Sequence, residues 1–373
     1  MTFKIPLFKI LWDDEDVQNI EREIKSGMNW AVGPNVEKFE KMIADYIGTD
    51  YAAVFNSGTS ALHSMLLAHG IRKDDEVIVP SFTFIATANS PLFVGAKPVF
   101  VDIERETLGL DPENVKKNIT DRTKAILPIH YGGCPCKIRE LREIADDNDL
   151  ILLEDAAEAM GASINNKKVG TFGDSAVLSF CQNKIITTGE GGAVVTDSQD
   201  IYEKLLLIRS HGRLETGDYF SSAGLFDYID LGYNFRMSNI TAALGISQLE
   251  KVGTVIDMRQ KNSEYLMQRI LEETDKIKPI LPPDGYNHVR QLFTVIADKR
   301  NDLISYLKSK NISTKIYFDP VHLSHFYREK LGYKCQLPVT EEMARRTITL
   351  PMYPSLSRDE MDFMAETIGK FYR

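Results

Sequence analysis

Hydrophobic residues in the first two thirds of the chain form short continuous runs, and segments of helical periodicity lie between these runs. Seven runs rich in aliphatic and β-branched residues predict strands at residues 52–55, 77–79, 98–102, 124–129, 150–154, 176–180 and 193–196. Apolar spacings of three and four residues predict helices at residues 60–69, 138–147 and 201–210. Because strands alternate with helices and several strands are apolar throughout, the pattern predicts an α/β fold with a large, mostly parallel seven-stranded sheet covered on both faces.

The last third of the chain predicts a second, smaller unit. Ser238 is a candidate N-cap for a long helix, which Gly253 would interrupt. The residues after this helix predict a strand at 291–297 and helices at 300–310 and 358–372. We therefore expect a large domain over residues 1–249 and a smaller C-terminal α/β domain over residues 250–373.

Composition and charge narrow the classes of partner. The chain has 373 residues, a formal net charge of -9 and a pI of about 5.4, and it contains no basic block. Nucleic acid and anionic membranes are therefore not expected as partners. Residues 77–96 carry no charge and have the length of a membrane span, but Pro80, Pro91 and Gly95 predict a buried strand, loop and helix there instead.

The four cysteines, Cys134, Cys136, Cys181 and Cys335, do not have the spacing of a metal site. Only one residue separates Cys134 from Cys136, and no second Cys/His pair follows at zinc spacing, so we expect no metal. The low cysteine content and the absence of a long apolar stretch near residue 1 indicate a cytoplasmic protein.

Polar residues follow several of the predicted strands, at the edge where open parallel sheets bind ligands. In "NSGTSALH", Gly58 and Thr59 lie at a helix N-terminus, where unpaired amides and the helix dipole favour an anion. The motif lacks the Gly-Lys-Ser/Thr of a P-loop, and plain helix capping is the alternative interpretation. Asp155 ends a strongly apolar strand and needs a cationic or hydrogen-bonding partner if it is buried, although it also suits an N-cap.

Lys184 is the only basic residue in "SFCQNKIITTGEGG", which joins a buried strand to a glycine-rich stretch. Taken alone, an Asn-Lys pair is ordinary turn chemistry. However, an anion cradle, a strand-end Asp155, an aromatic Phe84 and this lysine all fall at one edge of the sheet. Pyridoxal 5'-phosphate requires these four groups, for its phosphate, its protonated pyridine nitrogen, its ring face and its aldehyde. The combination predicts this cofactor.

Five segments resemble the DegT/StrS-type sugar aminotransferases in order and spacing, and the resemblance extends from about Pro6 to the C-terminus. They are "NSGTSALH", "VPSFTFIATANS…GAKPVFVDI", "EDAAEAMGA", "LSFCQNKIITTGEGG" and "LGYNFRMSNITAALGISQLE". The resemblance implies the type I aminotransferase fold and a homodimer whose active sites are shared between subunits. It also implies an enzyme, a transaminase that depends on pyridoxal 5'-phosphate.

The resemblance assigns roles to the residues that contact the cofactor. Lys184 matches the Schiff-base lysine, and Asp155 matches the partner of the pyridine nitrogen. Phe84 matches the stacking aromatic residue. Glu158 lies where the family has Gln, His or Glu near the phenolic oxygen of the cofactor.

Further positions match phosphate and subunit contacts. Gly58, Thr59 and Ser179 match residues that bind the cofactor phosphate. Asn234 matches the residue that reaches the phosphate of the neighbouring subunit's cofactor, and Arg236 follows it as a candidate substrate contact. Many relatives have His at the position of Cys181, to which we assign no function.

The resemblance also indicates the reaction. "NKIITTGEGG" and "DAAEA" are similar to enzymes that aminate the 4-keto group of a nucleotide-linked 4-keto-6-deoxyhexose, including perosamine synthases, and L-glutamate is the expected amino donor. Tyr317 and His322 match a C-terminal segment that approaches the substrate, although packed loop residues are an equally good interpretation. The segment 212–230 is a candidate wall of the sugar pocket.

Alternative functions remain open at this point. A related branch removes the sugar 3-hydroxyl group and has His in place of the lysine, so Lys184 favours transamination. An aminocyclitol or keto-inositol aminotransferase would use the same scaffold. A regulatory protein with a relic site would not need to keep Lys184, Asp155 and Ser179. A Rossmann dehydrogenase is disfavoured because no G-x-G-x-x-G follows the first strand.

Overall fold

The computed structural model describes residues 3–213 and 227–373. Most of the segment 212–230, a predicted wall of the sugar pocket, lies outside the described residues. The helices are α1 (Asp14–Ser26), α2 (Pro34–Ile47), α3 (Gly58–Ala68), α4 (Ile85–Phe93), α5 (Pro112–Lys117), α6 (Ile138–Asp147), α7 (Gln199–Arg209), α8 (Asn239–Glu250), α9 (Val252–Glu273), α10 (Arg300–Ser309), α11 (Pro338–Arg346) and α12 (Arg358–Tyr372). The strands are β1 (Tyr51–Phe55), β2 (Glu76–Pro80), β3 (Lys97–Val101), β4 (Thr123–Ile126), β5 (Ile151–Asp155), β6 (Ser163–Ile164), β7 (Lys167–Lys168), β8 (Ser175–Ser179), β9 (Gly192–Thr196), β10 (Ile277–Pro279), β11 (Tyr286–Asn287), β12 (Phe293–Ala297) and β13 (Thr347–Leu350).

The large sheet has seven strands in the order β1-β9-β8-β5-β4-β2-β3. Only β9 runs antiparallel to its neighbours β1 and β8, and the remaining pairings are parallel. The predicted α/β fold with a large, mostly parallel sheet is therefore confirmed. Six strands end at the same edge of this sheet, so the polar residues that follow them are brought together there.

Side chains of the large sheet alternate between two apolar cores. Ala52 and Val54 of β1 pack into the core beneath α2 and α8, whereas Ala53 and Phe55 pack into the core beneath α3 and α7. Successive strand residues point to opposite faces, so a strand covered on both faces must be apolar at every position. This explains the continuous hydrophobic runs in the sequence.

The long helical pattern after Ser238 is two helices. The Ser238 hydroxyl accepts a hydrogen bond from the Thr241 amide and caps α8, as predicted. The interruption falls at Lys251 and not at Gly253, because α8 ends at Glu250 and α9 starts at Val252. The Lys251 ammonium lies 2.8 Å from Asp16 Oδ2 of α1, which anchors the junction.

The C-terminal residues form a second sheet, β10-β12-β13, with α9, α10 and α12. The N-terminal half of α9 packs on the large sheet through Val255, while Leu266 lies in the core of the small sheet. Ile5 also packs in the small core and bridges to Ile312. The proposed division at residue 250 stays a prediction, and the helix at that point spans both cores.

The uncharged residues 77–96 form β2, a turn and α4, in agreement with the sequence-based expectation. Among the residues that the structure describes, no helix combines the length and apolar character needed to cross a membrane.

Candidate active site

A cavity of about 1020 Å³ opens at the carboxyl edge of the large sheet. The start of α3, the loop before α4 and the end of β5 form one side, and a segment that precedes α11 forms the other. Its lining residues include 57–59, 83–87, 155, 157–158, 179, 181–184 and 315–321. Six of the predicted cofactor contacts, at positions 58, 59, 84, 155, 158 and 179, line this cavity together with Lys184.

Lys184 lies in a turn just beyond β8, where its amide donates to the Cys181 carbonyl oxygen at 2.9 Å. Its side chain is only 15% exposed, and Nζ lies 3.3 Å from Glu158 Oε1. Glu158 is buried, and its other oxygen accepts from the Gly132 amide at 2.9 Å. The lysine is therefore not a solvated turn residue: its amine is held inside the cavity by a fixed carboxylate.

Asp155 is the last residue of β5 and is buried at the floor of the cavity. Its Oδ2 accepts from Thr87 Oγ1 at 2.6 Å, and its Oδ1 accepts from the Ala157 amide at 3.1 Å. Burial raises the pKa of Asp155, while the hydrogen bonds from Thr87 and Ala157 and the charge of Lys184 oppose that rise. A buried carboxylate of this kind favours a ligand that brings it a positively charged N–H group.

The predicted anion cradle is the N-terminus of α3. Ser57 caps the helix by accepting from the Ser60 amide at 3.0 Å, which leaves the amides of Gly58 and Thr59 in the first turn without intrahelical acceptors. A Cβ atom at Gly58 would lie 3.2 Å from Ser179 Oγ. Glycine therefore keeps open the space between these amides and the Ser179 hydroxyl, as a bound phosphate requires.

Phe84 precedes α4 and is 57% exposed, although it is a large aromatic residue. Its ring centroid lies 6.2 Å from that of Phe318 on the opposite side of the cavity. An exposed ring at the mouth of an apolar cavity suits stacking on a flat ligand. The amides of α3, Asp155, Lys184 and Phe84 thus fit the phosphate, pyridine nitrogen, aldehyde and ring face of pyridoxal 5'-phosphate.

Asn234 and Arg236 do not line this cavity. Asn234 is exposed, and its carbonyl oxygen accepts from Asn56 Nδ2 at 3.4 Å, close to the end of β1. Arg236 donates from Nη1 to Ser210 Oγ at 3.2 Å. Both residues therefore lie beside the end of β1 but outside the cavity lining, and their predicted roles stay predictions.

The structure separates the two predicted substrate residues of the C-terminal segment. Tyr317 lines the cavity, and burial raises the pKa of its hydroxyl to about 12. His322 is buried outside the lining, and its Nδ1 lies 2.7 Å from Ser81 Oγ. His322 is not among the residues that line the cavity, so a direct substrate contact by His322 has no support in this geometry.

Two lining residues were missed by the sequence analysis. Thr87 lies three residues after Phe84, so helical spacing places it on the same side of the chain. Lys315 lies two residues before Tyr317, which is the spacing of neighbours on one face of an extended segment, and its Nζ lies 4.5 Å from the centre of the Tyr317 ring. Both signals are present in the sequence, but neither is specific enough to be recognised alone.

Comparison with known proteins identifies the family. The model of the DegT/DnrJ/EryC1/StrS aminotransferase family matches residues 11–369. GDP-perosamine synthase of Escherichia coli O157:H7 is 36% identical over 375 residues, with 99% of this chain and 98% of the relative covered.

Two solved structures superpose on the whole chain. DesV of S. venezuelae is 31% identical with a TM-score of 0.90, and the match covers 100% of this chain and 99% of DesV. The GDP-4-keto-6-deoxy-D-mannose-3-dehydratase of E. coli, solved with bound hydrated pyridoxal phosphate, is 29% identical with a TM-score of 0.90, and the match covers 99% and 100% of the two chains.

The cavity geometry and these similarities agree on the same chemistry. The predicted type I aminotransferase fold and the predicted cofactor, pyridoxal 5'-phosphate, are confirmed. The chain belongs to the DegT/DnrJ/EryC1/StrS aminotransferase family and is, as the sequence predicts, a pyridoxal 5'-phosphate-dependent sugar aminotransferase.

Proposed function

We propose that the enzyme transfers an amino group from L-glutamate to the 4-keto group of a nucleotide-linked 4-keto-6-deoxyhexose. The observation that carries the proposal is the Lys184 amine, held 3.3 Å from Glu158 in the cavity that the buried Asp155 also lines. The full-length similarity to a GDP-perosamine synthase supports the sugar class.

The cofactor would be held by groups already in place. The amides at the start of α3 and the Ser179 hydroxyl would bind the phosphate, Phe84 would cover one face of the ring, and the Asp155 carboxylate would accept a hydrogen bond from the protonated pyridine nitrogen. When bound, the cofactor supplies an aldehyde carbon that combines with amines and a ring that accepts the electron pair left by a departing proton.

Lys184 is proposed to move the proton of the reaction. Its Nζ removes the proton from the α-carbon of the amino donor and later delivers a proton to the carbon that receives the new amine. Glu158 directs this amine, because its carboxylate lies 3.3 Å from Nζ and is itself fixed by the Gly132 amide. Asp155 acts as a fixed negative charge that keeps the pyridine nitrogen protonated.

The first test is the visible absorption spectrum of the purified enzyme before and after addition of L-glutamate. We expect a band of bound cofactor that converts to the amine form, and a product whose mass corresponds to an amino sugar when a nucleotide 4-keto-6-deoxyhexose is added. A deoxygenated sugar product would instead indicate the reaction of the related 3-dehydratase. No spectral response to any amino donor would contradict transamination.

A matched pair of lysine variants tests the catalytic group. Lys184→Ala should abolish turnover while the chain stays folded, since it removes the amine that lies beside Glu158 in the cavity. Lys204→Ala is the control, because this lysine lies on α7 and pairs with Asp200 at the surface. Near-normal turnover by Lys184→Ala would refute the assignment.

We further propose that the enzyme is a homodimer in which Asn234 completes the neighbouring subunit's site. The support is the exposed position of Asn234 and the large apolar side chains that stay exposed beside it, with Tyr228 at 58%, Ile229 at 53% and Leu231 at 76%. Co-expression of Lys184→Ala with Asn234→Ala should restore some activity, because mixed dimers contain one intact site. Absence of recovery in verified mixed dimers would refute action of Asn234 on the partner's site.

A further inference from the structure

The two sides of the cavity belong to distant parts of the chain. One wall is the loop after β2 together with the start of α4, and it carries Phe84 and Thr87. The other wall is the segment 315–324, which carries Tyr317 and Phe318. The cavity keeps its width only if these two walls keep their distance, because neither wall belongs to a strand of the large sheet.

The walls are joined at Ser81 and His322, and both side chains are buried. The Val321 amide donates to the Ser81 carbonyl oxygen at 2.9 Å, and the His322 amide donates to Ser81 Oγ at 3.0 Å. The His322 ring adds a third contact, in which Nδ1 lies 2.7 Å from the same Oγ. Ser81 thus forms hydrogen bonds with both residues of the turn at 321–322.

The direction of the ring contact follows from the hydrogens available. We assign Ser81 Oγ as the donor in the ring contact, because Oγ accepts from the His322 amide and Nδ1 is an acceptor within reach of its own hydrogen. The ring proton then resides on Nε2. Burial lowers the pKa of His322, against the opposing effects of Glu341 and Asp102, and this favours the neutral ring that the contact requires. Nε2 lies 3.5 Å from Glu341 Oε1 and has no hydrogen-bond partner among the described residues.

A second contact holds the surroundings of His322 in place. Asp102 follows β3, and its carboxylate accepts from the amides of Val339 and Thr340 at 2.9 and 2.8 Å and from the Thr340 hydroxyl at 2.8 Å. These donors are at the start of α11, the helix that carries Glu341. The buried ring of His322 therefore lies between Phe100 of β3, at a centroid distance of 6.3 Å, and Glu341 of α11.

We propose that His322 is a positioning residue whose Nδ1 holds Ser81 and thereby fixes the wall of Phe84 and Thr87 relative to the wall of Tyr317. It does not contact the substrate. The ring-to-ring distance of 6.2 Å between Phe84 and Phe318 is the dimension that this contact maintains. Ser81 serves the same purpose from the other side.

A positioning residue and a residue that contacts the substrate affect different half-reactions. Both half-reactions of a transaminase take place between the same two walls, so a positioning residue is needed in both. A residue that touches only the sugar is needed only in the second half-reaction. The donor half-reaction requires only aminotransferase chemistry, whereas the acceptor half-reaction rests on the proposed function.

Two conservative variants separate the two nitrogens of the ring. Asparagine places an amide oxygen near the position of Nδ1 and retains the acceptor for Ser81, whereas glutamine places its amide near Nε2 and loses that acceptor. Under our proposal, His322→Asn keeps the function and His322→Gln does not. A substrate contact through Nε2 predicts the opposite order. Ser81→Ala, which removes the shared hydroxyl, should behave like His322→Gln.

The control is a second His–Ser pair, partly buried and outside the cavity lining. His69 closes α3, and its Nε2 lies 2.8 Å from Ser175 Oγ of β8. His69→Ala should lower the unfolding temperature of the cofactor-free chain without changing either half-reaction. This variant separates a loss of overall stability from a displaced wall.

The experiment measures each half-reaction in single-turnover mode, together with the dissociation constant of pyridoxal 5'-phosphate and the unfolding temperature of the cofactor-free chain. Because a displacement of about 1 Å can cost about a hundredfold in rate, we expect His322→Gln to lose at least about tenfold in kcat/KM of both half-reactions. His322→Gln should also bind the cofactor more weakly than His322→Asn. His322→Asn should stay within about threefold of wild type in kcat/KM of both half-reactions.

Two results would overturn the inference: equal behaviour of His322→Asn and His322→Gln, or a loss confined to the sugar half-reaction. Failure of the proposed function is recognised separately, since the wild-type enzyme itself would then not aminate the keto sugar. The cofactor affinity and the unfolding temperature would still compare the two His322 variants in that case.

Discussion

Thr87→Val removes one hydroxyl next to the Asp155 carboxylate, with almost no change in side-chain volume. Thr87 has a single hydroxyl hydrogen, which points at Asp155 Oδ2 over 2.6 Å. Thr83 Oγ1 lies 2.7 Å from Thr87 Oγ1 and must therefore donate to it. The two threonines form a chain of hydrogen bonds that ends on the carboxylate, and each bond polarises the next.

The expected size of the effect follows from the charge of the acceptor. A hydrogen bond to a charged group contributes about 1.5–3 kcal/mol, which corresponds to about one to two pKa units of the carboxyl group. The hydrogen bond from Thr87 lowers the pKa of Asp155 against the effect of burial, so its loss raises that pKa further. Asp155 then competes more strongly for the proton of the pyridine nitrogen, and the ratio of protonated to unprotonated nitrogen decreases by about ten- to a hundredfold.

The assay follows the first half-reaction and the position of the proton separately. We expect Thr87→Val to slow the single-turnover conversion by L-glutamate by about tenfold or more, and the ¹⁵N shift of ring-labelled cofactor to move toward the unprotonated value. Thr196→Val is the matched control, because Thr196 is also buried but donates to the neutral carbonyl oxygen of Asp174 at 2.8 Å, outside the cavity lining. An unchanged rate and an unchanged nitrogen shift in Thr87→Val would refute this explanation of Asp155.

Three further predictions concern the cradle, a buried carboxylate and a pH-dependent contact. Gly58→Ala should weaken binding of pyridoxal 5'-phosphate by at least about tenfold in a fluorescence titration with little change in unfolding temperature, since the new Cβ would lie 3.2 Å from Ser179 Oγ. Glu154→Gln should lower the free energy of unfolding by about 1.5–3 kcal/mol at pH 7 in urea titrations, because the fully buried carboxylate accepts from His130 and three amides, and unchanged stability would contradict this. Burial lowers the pKa of His69 from 6.5 to about 4, so its contribution to stability is complete above pH 6.5 and is lost as the pH falls toward 4. The acid-induced loss should be smaller in His69→Ala than in wild type when unfolding is measured between pH 4 and 7.

The local features of the chain were predictable because they depend on residues near one another in the sequence. Continuous apolar runs marked the seven strands, since strands buried on both faces need an apolar side chain at every position. Ser238 marked a helix start because its hydroxyl caps an amide three residues later. Lys184 and Asp155 were recognised by their positions just beyond strands, and the structure places both in one cavity.

The helix break near residue 251 shows where local pattern stops being sufficient. Gly253 was the expected interruption, because glycine weakens helices. The structure places the break at Lys251, whose ammonium binds Asp16 on the distant α1. The propensity of a single residue was outweighed by an ion pair that the local sequence does not indicate.

The sequence by itself determined the strands, the caps and the set of chemical groups at the carboxyl edge of the sheet. Only the tertiary structure decided which of these groups meet. The hydrogen bond of Thr87 to Asp155 joins residues 68 positions apart, and that of Ser81 to His322 joins residues 241 positions apart. The sequence therefore left Tyr317 and His322 open between substrate contacts and packed loop residues, whereas the structure places Tyr317 in the cavity lining and buries His322 outside it. The periodicity of a segment specifies which of its faces is buried, whereas its partner depends on strand order and on how the two sheets pack together.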